Sequence, residues 1–513
     1  MALPNPNDRK GFPVDHSIAA SPSWATPDTH AVLALLQPLV LELASAIAAF
    51  RAQHPTPERT FAFENTIAAI QREAGRVIVE HEYNHVEPAT LEDCPLRLRF
   101  AGEEYRRRPR SLNRIGTRFG EIELRRFLHE AVEPGEPAIF PLEAALGIEA
   151  GLATPALAER VGAWAVDHEQ EQVRRLLRSE HGVAWSVDSL RRLTAALRDG
   201  MASFREEAQL ARLQELLEKA FASRGRHRPV LAAGRDGVHV PIRQDGYHEG
   251  AAATRSVQDR RGKRLGTVYL GRMPEPGQGT LSAPLTNLLE RTLARWHALG
   301  RPAPRLAYLT DGGHHPKEYY LRTLRRLDDP WRPGRKLQWQ WVLDFWHACG
   351  YLGRLAEALF GEGAKARQRF AQWRRWLRDR RRGVTQVLRS AMGLHNRAAP
   401  LRGADRVAFW KAYRYLRKHA VWMRYAEYRS QGMPIGSGVT EAACKTVFAE
   451  RLKRSGMTWS SAGGQVILDL RVLVLSGVWR EAHAAHLRSK PQPTLAKPTS
   501  QAPRHRQTLG NAA

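Results

Sequence analysis

RPVLAAGRDGVHVPIR, residues 228–243, decides how the fold is read. Pro229 bounds an apolar run too short for a helix, and Asp236-Gly237 interrupts it, so the segment is expected to be a buried core strand. Two more strand-like runs follow at about 248–257 and 264–273, then a Pro/Gly-rich loop, Pro274–Gly279, and a helix over roughly 282–299. RLAYLTDGG carries a fourth strand to Asp311, and HPKEYYLRTLRRL reads as a helix. LQWQWVLDFWHACGYL gives another core strand, with Asp344 and His347 at its end. A three-strand meander followed by alternating helix and strand specifies an α/β layer built on a mixed sheet.

The chemistry follows from that layout. A right-handed crossover lets the strands of Asp236 and Asp311 lie side by side. Their carboxylates then meet at one end of the sheet, where open α/β folds place their sites. Two carboxylates about 4 Å apart repel by about 4 kcal/mol at an effective dielectric of 20, so a cation between them is expected. Oxygen ligands without a Cys or His pair favour Mg²⁺ or Mn²⁺ over zinc. A third carboxylate comes from IGSGVTEAACKTVFAERLKRSGMTW, Ile435–Trp459, where Glu441 opens a helix after Gly436-Ser437-Gly438. The helix dipole alone favours an acid there by up to about 1 kcal/mol. Packed across the sheet edge, the same residue completes a two-metal site for phosphodiester chemistry. Each Asp-Gly pair is by itself an ordinary turn signal. Their shared position beside apolar strands carries the reading.

Composition narrows the partner. The chain has 513 residues, with 79 Lys and Arg against 52 Asp and Glu, a formal charge of +27 and a pI near 10.7. That excess points to a polyanion, and to nucleic acid ahead of an anionic membrane surface. The long apolar run Ala31–Phe50 contains Pro38 and Glu42 and lacks a basic leader, so a buried or amphipathic helix is expected there. Cys94, Cys349 and Cys444 have no CxxC spacing, which argues against a disulfide framework or a zinc site. An intracellular, cytoplasmic setting fits.

Along the chain, residues 1–28 read as a disordered leader and 29–136 as helices followed by a strand-rich basic region. Residues 137–200 read as short helices with a helix-turn-helix-like pattern, in which Arg191 and Arg192 lie on a third, basic helix capped by Ser186. Residues 201–228 form a linker helix, 229–354 and 433–480 the α/β domain, and 355–432 a helical insertion. Residues 481–513 form a disordered tail. Within the insertion, residues 364–430 hold 19 Lys and Arg against three acids, interleaved with aromatics such as Trp373 and Trp376. At helical spacing the aromatics fill a core, while Arg374 and Arg375 face phosphate. Lys445, Arg451, Lys453 and Arg454, beyond Glu441 on its helix, suit phosphate contacts near a scissile bond.

Asp236-Gly237, Thr310-Asp311-Gly312-Gly313, the Asp344–His347 stretch DFWH and GSGVTEAACKTVFAERLKRSGM together resemble bacterial insertion-sequence transposases of the ISKra type, within the DDE transposases related to Mutator-like elements. The resemblance runs from about 96 through 480 and is densest over 434–478. It implies a ribonuclease H-like mixed-sheet catalytic core, interrupted by an all-helical insertion and preceded by α+β and helix-turn-helix-like regions. It also implies two Mg²⁺ (or Mn²⁺) ions, binding of element ends and target DNA, strand cleavage with transfer, and a homodimer or higher oligomer on DNA. Carried over by position, Asp236, Asp311 and Glu441 match the catalytic and metal-binding triad. Asp344 and His347 match an Asp-x-x-His signature in a supporting role, and which of Asp311 and Asp344 is the second metal ligand stays open. Relatives often carry paired cysteines in the N-terminal strand region. This chain has none there, so zinc is not expected. Two other readings remain: a metal-dependent nuclease or resolvase that cuts without joining, and a non-catalytic sequence-specific DNA-binding protein.

Overall fold

The computed structural model describes residues 29–276, 279–397 and 400–496; the leader expected over 1–28 and the end of the tail lie outside them. The chain divides into two compact units, one formed mainly by residues up to 151, the other by 152–180 and 184–490.

In the first unit, helices α1 (Thr29–Arg51) and α2 (Pro57–His85) precede strands β1 (Arg97–Phe100), β2 (Glu103–Thr117) and β3 (Gly120–Ala131) and the short helix α3 (Pro141–Leu146). Thr56 caps α2 through Arg59 N, with Pro57 at the first helical position. The strands form an antiparallel sheet, joined at β1 by a short strand, Thr494–Leu495. The basic face expected here is partly neutralised from within, since Arg97, Arg108 and Arg114 pair with Glu104, Glu130 and Glu123. α1 departs from expectation. None of its residues is buried, although it is apolar along most of its length. Among the described residues it is the single helix long and apolar enough by itself to cross a membrane.

The second unit opens with α4 (Pro155–Asp167), α5 (Gln170–His181) and α6 (Val187–Ala222). Ser186 caps α6 as expected. The boundary expected at Gly200 is absent: α6 is one 36-residue helix running through it. Its heptad-like leucines, Leu190, Leu193, Leu197, Leu210, Leu213 and Leu217, are buried on one side. α4 buries Leu157, Val161 and Val166, so these helices share the unit's core instead of standing apart as a separate module.

Next come β4 (Val230–Ile242), β5 (Gly246–Gln258), β6 (Arg264–Arg272), α7 (Gly279–Ala298), β7 (Arg305–Thr310), α8 (His314–Arg322) and β8 (Trp339–Leu343). The sheet order is β6-β5-β4-β7-β8. The first three strands are an antiparallel meander, and β7 and β8 run parallel to β4. The mixed α/β layer expected from the sequence is therefore present. Alternation along the strands sorts side chains to two faces. Val230, Ala232, Ala307, Leu309 and Val342 join one core; Leu231, Ala233, Leu306, Tyr308 and Trp341 join the other, with α6 and α7.

Helices α9 (Phe345–Phe360), α10 (Ala364–Asp379), α11 (Gly383–His395), α12 (Gly403–His419) and α13 (Tyr425–Ser430) follow β8. Trp373, Phe409, Tyr425 and Tyr428 are buried among them, with Trp376, Trp410 and Trp422 packed alongside. The chain then returns through α14 (Gly438–Ala443), a π-helical stretch Cys444–Ala449 and α15 (Glu450–Leu452), before α16 (Ser461–Leu475) and α17 (Trp479–Ser489). A disordered tail from 481 is thus corrected. α17 buries Ala482, His483 and His486, and the order continues to the strand at Thr494.

Candidate active site

β7 and β8 end level with one another, beside the middle of the longer β4. Gly234 pairs with Leu309, so two residues further on Asp236 comes beside Asp311. Thr310 pairs with Leu343, so the next step brings Asp311 beside Asp344. Asp236 stays within β4, paired with Ala252, so Asp236-Gly237 is not a turn. Asp311 ends its strand, and Gly312, at φ 85°, makes a turn that a side chain would strain. Gly313 N–H donates to Asp311 Oδ1 at 2.8 Å, and Tyr415 Oη, from α12, donates to Asp311 O at 3.0 Å.

α14 crosses the same face. A Cβ on Gly234 would lie 1.9 Å from Thr440 Oγ1, so only glycine lets the helix sit this close. A Cβ on Gly436 would lie 3.3 Å from Trp346 Cδ1, a tight approach, and 3.6 Å from Asp344 Oδ2, whereas Gly438 faces open space. Ala443 is buried against the sheet, whereas Ala442 is exposed.

Asp236 titrates abnormally. Burial raises its carboxyl to about 6, and the charges of Asp311 and Glu441 push the same way, opposed by Gly237 N–H at 2.8 Å and by the Cys444 thiol. Asp311 and Glu441 are therefore close enough to destabilise the charge of Asp236. Cys444, one turn beyond Glu441, is itself held far above the usual thiol range by burial and then by Asp236.

Asp344 does something else. It is fully buried, and its oxygens accept from His347 N, Ser437 N and Ser437 Oγ, the last at 2.9 Å. Ser437 Oγ also lies 2.8 Å from Glu441 Oε1. Asp344 thus caps α9 and pins the loop that aims Glu441, leaving Asp311 as the aspartate presented beside Asp236. His347 is exposed, 5.5 Å from the Tyr351 ring and 5.7 Å from Tyr415, and not a core histidine. Next to it Trp346 is 60% exposed.

Of the residues expected to meet phosphate, Lys445, Lys453, Arg375, Arg191 and Arg192 are exposed, and Arg374 is half-buried over the Phe370 ring. Arg451 is a correction. It is 2% exposed, with its Nε donating to Ala165 O at 3.1 Å and its guanidinium over Trp459, and burial lowers it to about 10. Arg454 is half-buried and donates to Asp167 O at the end of α4. Arg451 lies on α15, whereas Arg454 follows its end, and spacing alone does not tell which side packs against α4.

The sequence reading passed over Ser437 as a turn residue, and over Cys444, Tyr415 and Trp346. Their roles come from contacts as far as 207 positions apart, as between Cys444 Sγ and Gly237 O. It also passed over a histidine pair beside Asp311. His314, His315 and Glu318 bring ligand atoms within 4.8 Å of one another, though Glu318 is engaged by Arg322 at 2.8 Å. The chain matches no protein-family model and no curated protein.

Proposed function

We propose that the protein is a DDE transposase that binds the ends of its element and catalyses metal-dependent strand cleavage and transfer. One observation carries the reading. Asp236, Asp311 and Glu441, drawn from two adjacent parallel strands and a helix packed across them, share an electrostatic environment that raises Asp236. The strand order, with a meander followed by two parallel strands and a helical segment inserted before the glutamate helix, supports a ribonuclease H-like core.

The donor set fits a hard divalent cation. Three carboxylates that repel one another are stabilised by Mg²⁺ or Mn²⁺, and two such ions activate the attacking oxygen and stabilise the leaving one in phosphodiester chemistry. Asp236, Asp311 and Glu441 would hold them. Ser437, fixed by Asp344, holds Glu441 in orientation. The exposed Lys445 one turn beyond Glu441 and the basic insertion supply positive charge for the DNA backbone. Trp346 presents an open aromatic face beside the same loop, suited to stacking on an unpaired base.

The test is incubation of the purified protein with duplexes carrying the DNA that flanks its coding region. Cleavage at the element ends and joining to a target in Mg²⁺ or Mn²⁺, with loss in EDTA, is the expected result. Cutting without joined products would assign a nuclease or resolvase. Binding with no cutting in either metal would assign a non-catalytic DNA-binding protein.

A further inference from the structure

The opposite end of the central sheet carries a second basic site. Arg228 precedes β4, Arg305 opens β7 and Trp339 opens β8. Six residues of β7 separate Arg305 from Asp311, about 20 Å at the rise of a strand. A cleft of about 1140 Å³ is lined there by Arg228, Arg305, Arg325, Tyr320, Trp331 and Trp339, among others.

Two of its cations are met by neutral groups. Arg228 Nε donates to Ala303 O at 2.6 Å, and Arg305 bonds to the Gln431 amide oxygen. The acid lining the cleft, Asp329, is engaged by Arg332 at 2.6 Å. Among the described residues no carboxylate pairs with Arg228, Arg305 or Arg325, and Arg228 and burial both press on the charge of Arg305. Two buried polar atoms on the lining residues, Trp339 Nε1 and Gln340 Oε1, have no hydrogen-bond partner. Trp331 is fixed by its Nε1 bond to Arg301 O at 2.8 Å and stays half-buried.

We infer that this cleft binds a short single-stranded stretch of nucleic acid, with phosphates on Arg228, Arg305 and Arg325 and bases against Trp331 and Trp339. Clustered guanidinium groups suit phosphate, and aromatic faces take any base. The volume exceeds the roughly 300–1,000 Å³ of sites for single small molecules, which favours a strand over a free nucleotide.

The experiment uses the full chain and a thymidine hexanucleotide carrying one 5-iodouracil, which crosslinks to aromatic side chains in light. Crosslinks mapped by mass spectrometry to Trp331, Trp339 or Tyr320 are expected. Arg325→Ala, at an exposed position that leaves the fold intact, should weaken hexanucleotide binding about tenfold. Asp311→Asn should leave these crosslinks in place, which separates this site from the carboxylates. Crosslinks confined to other regions, or unchanged affinity in Arg325→Ala, would overturn the assignment. Competition by thymidine monophosphate as strong as by the hexanucleotide would make this a free-nucleotide site and overturn it equally.

Discussion

Ser437 is the residue on which the site's geometry turns. One hydroxyl bridges buried Asp344 and Glu441, so removing it frees Glu441 without touching any carboxylate. Ser437→Ala is expected to lower end cleavage by about 10- to 100-fold, the loss typical of residues that orient ligands. End binding should stay at the wild-type level in a filter or anisotropy assay. Asp344→Asn weakens the cap of α9 and the hold on Ser437, and should cost about 1–3 kcal/mol in a denaturant titration. Asp236 sets a pH dependence. Its folded carboxyl titrates near 6, above an ordinary aspartate near 3.9, so the unfolded chain loses that proton first as pH rises. In EDTA, stability should therefore fall as pH rises from about 4 to about 6 and stay lower above that window. Asp236→Asn should remove this slope, as read by melting temperature against pH.

At the scale of elements, the glutamate helix shows what sequence can and cannot convey. Its existence, its start after Ser437 and its first-turn glutamate were legible from spacing and turn chemistry. Its seat on Gly234 was not, because nothing local in VLAAGRDG says that Thr440, some 200 positions later, closes over that glycine. Gly234→Ala is expected to displace α14 or to cost more than about 2 kcal/mol, since the clash is with a buried threonine. Arg451 makes the same point from the other side. A basic residue past a catalytic glutamate reads as a phosphate contact, yet this one is walled in by α4 and Trp459. Arg451→Ala should lower stability by about 2–4 kcal/mol while leaving the salt dependence of DNA binding unchanged.

Over the whole molecule, the order of strands and helices from Val230 to Leu475 was legible because hydrophobic period and turn residues agree there. A right-handed crossover after the meander allowed the strand pairing that sets Asp236 beside Asp311, and the register of β4 with β7 fixes it. What sequence hid was long-range packing: the fusion of α6 across Gly200, the packed helix α17, and the buried bonds of Asp344. An exposed apolar α1 was hidden too, since composition gives hydrophobicity but not what covers it. The net charge of +27 acts at this scale. Binding to duplex DNA should weaken as salt rises, with log K falling by about 0.9 per neutralised phosphate for each unit of log salt. A flat response would remove duplex DNA as the main partner. The central claim, that three carboxylates perform the chemistry, is tested most directly by Glu441→Gln, which keeps size and helix propensity but removes the charge. End cleavage in Mg²⁺ should drop by orders of magnitude while end binding and melting temperature stay near wild type. Cleavage at the wild-type rate would return Glu441 to a first-turn acid and contradict the account.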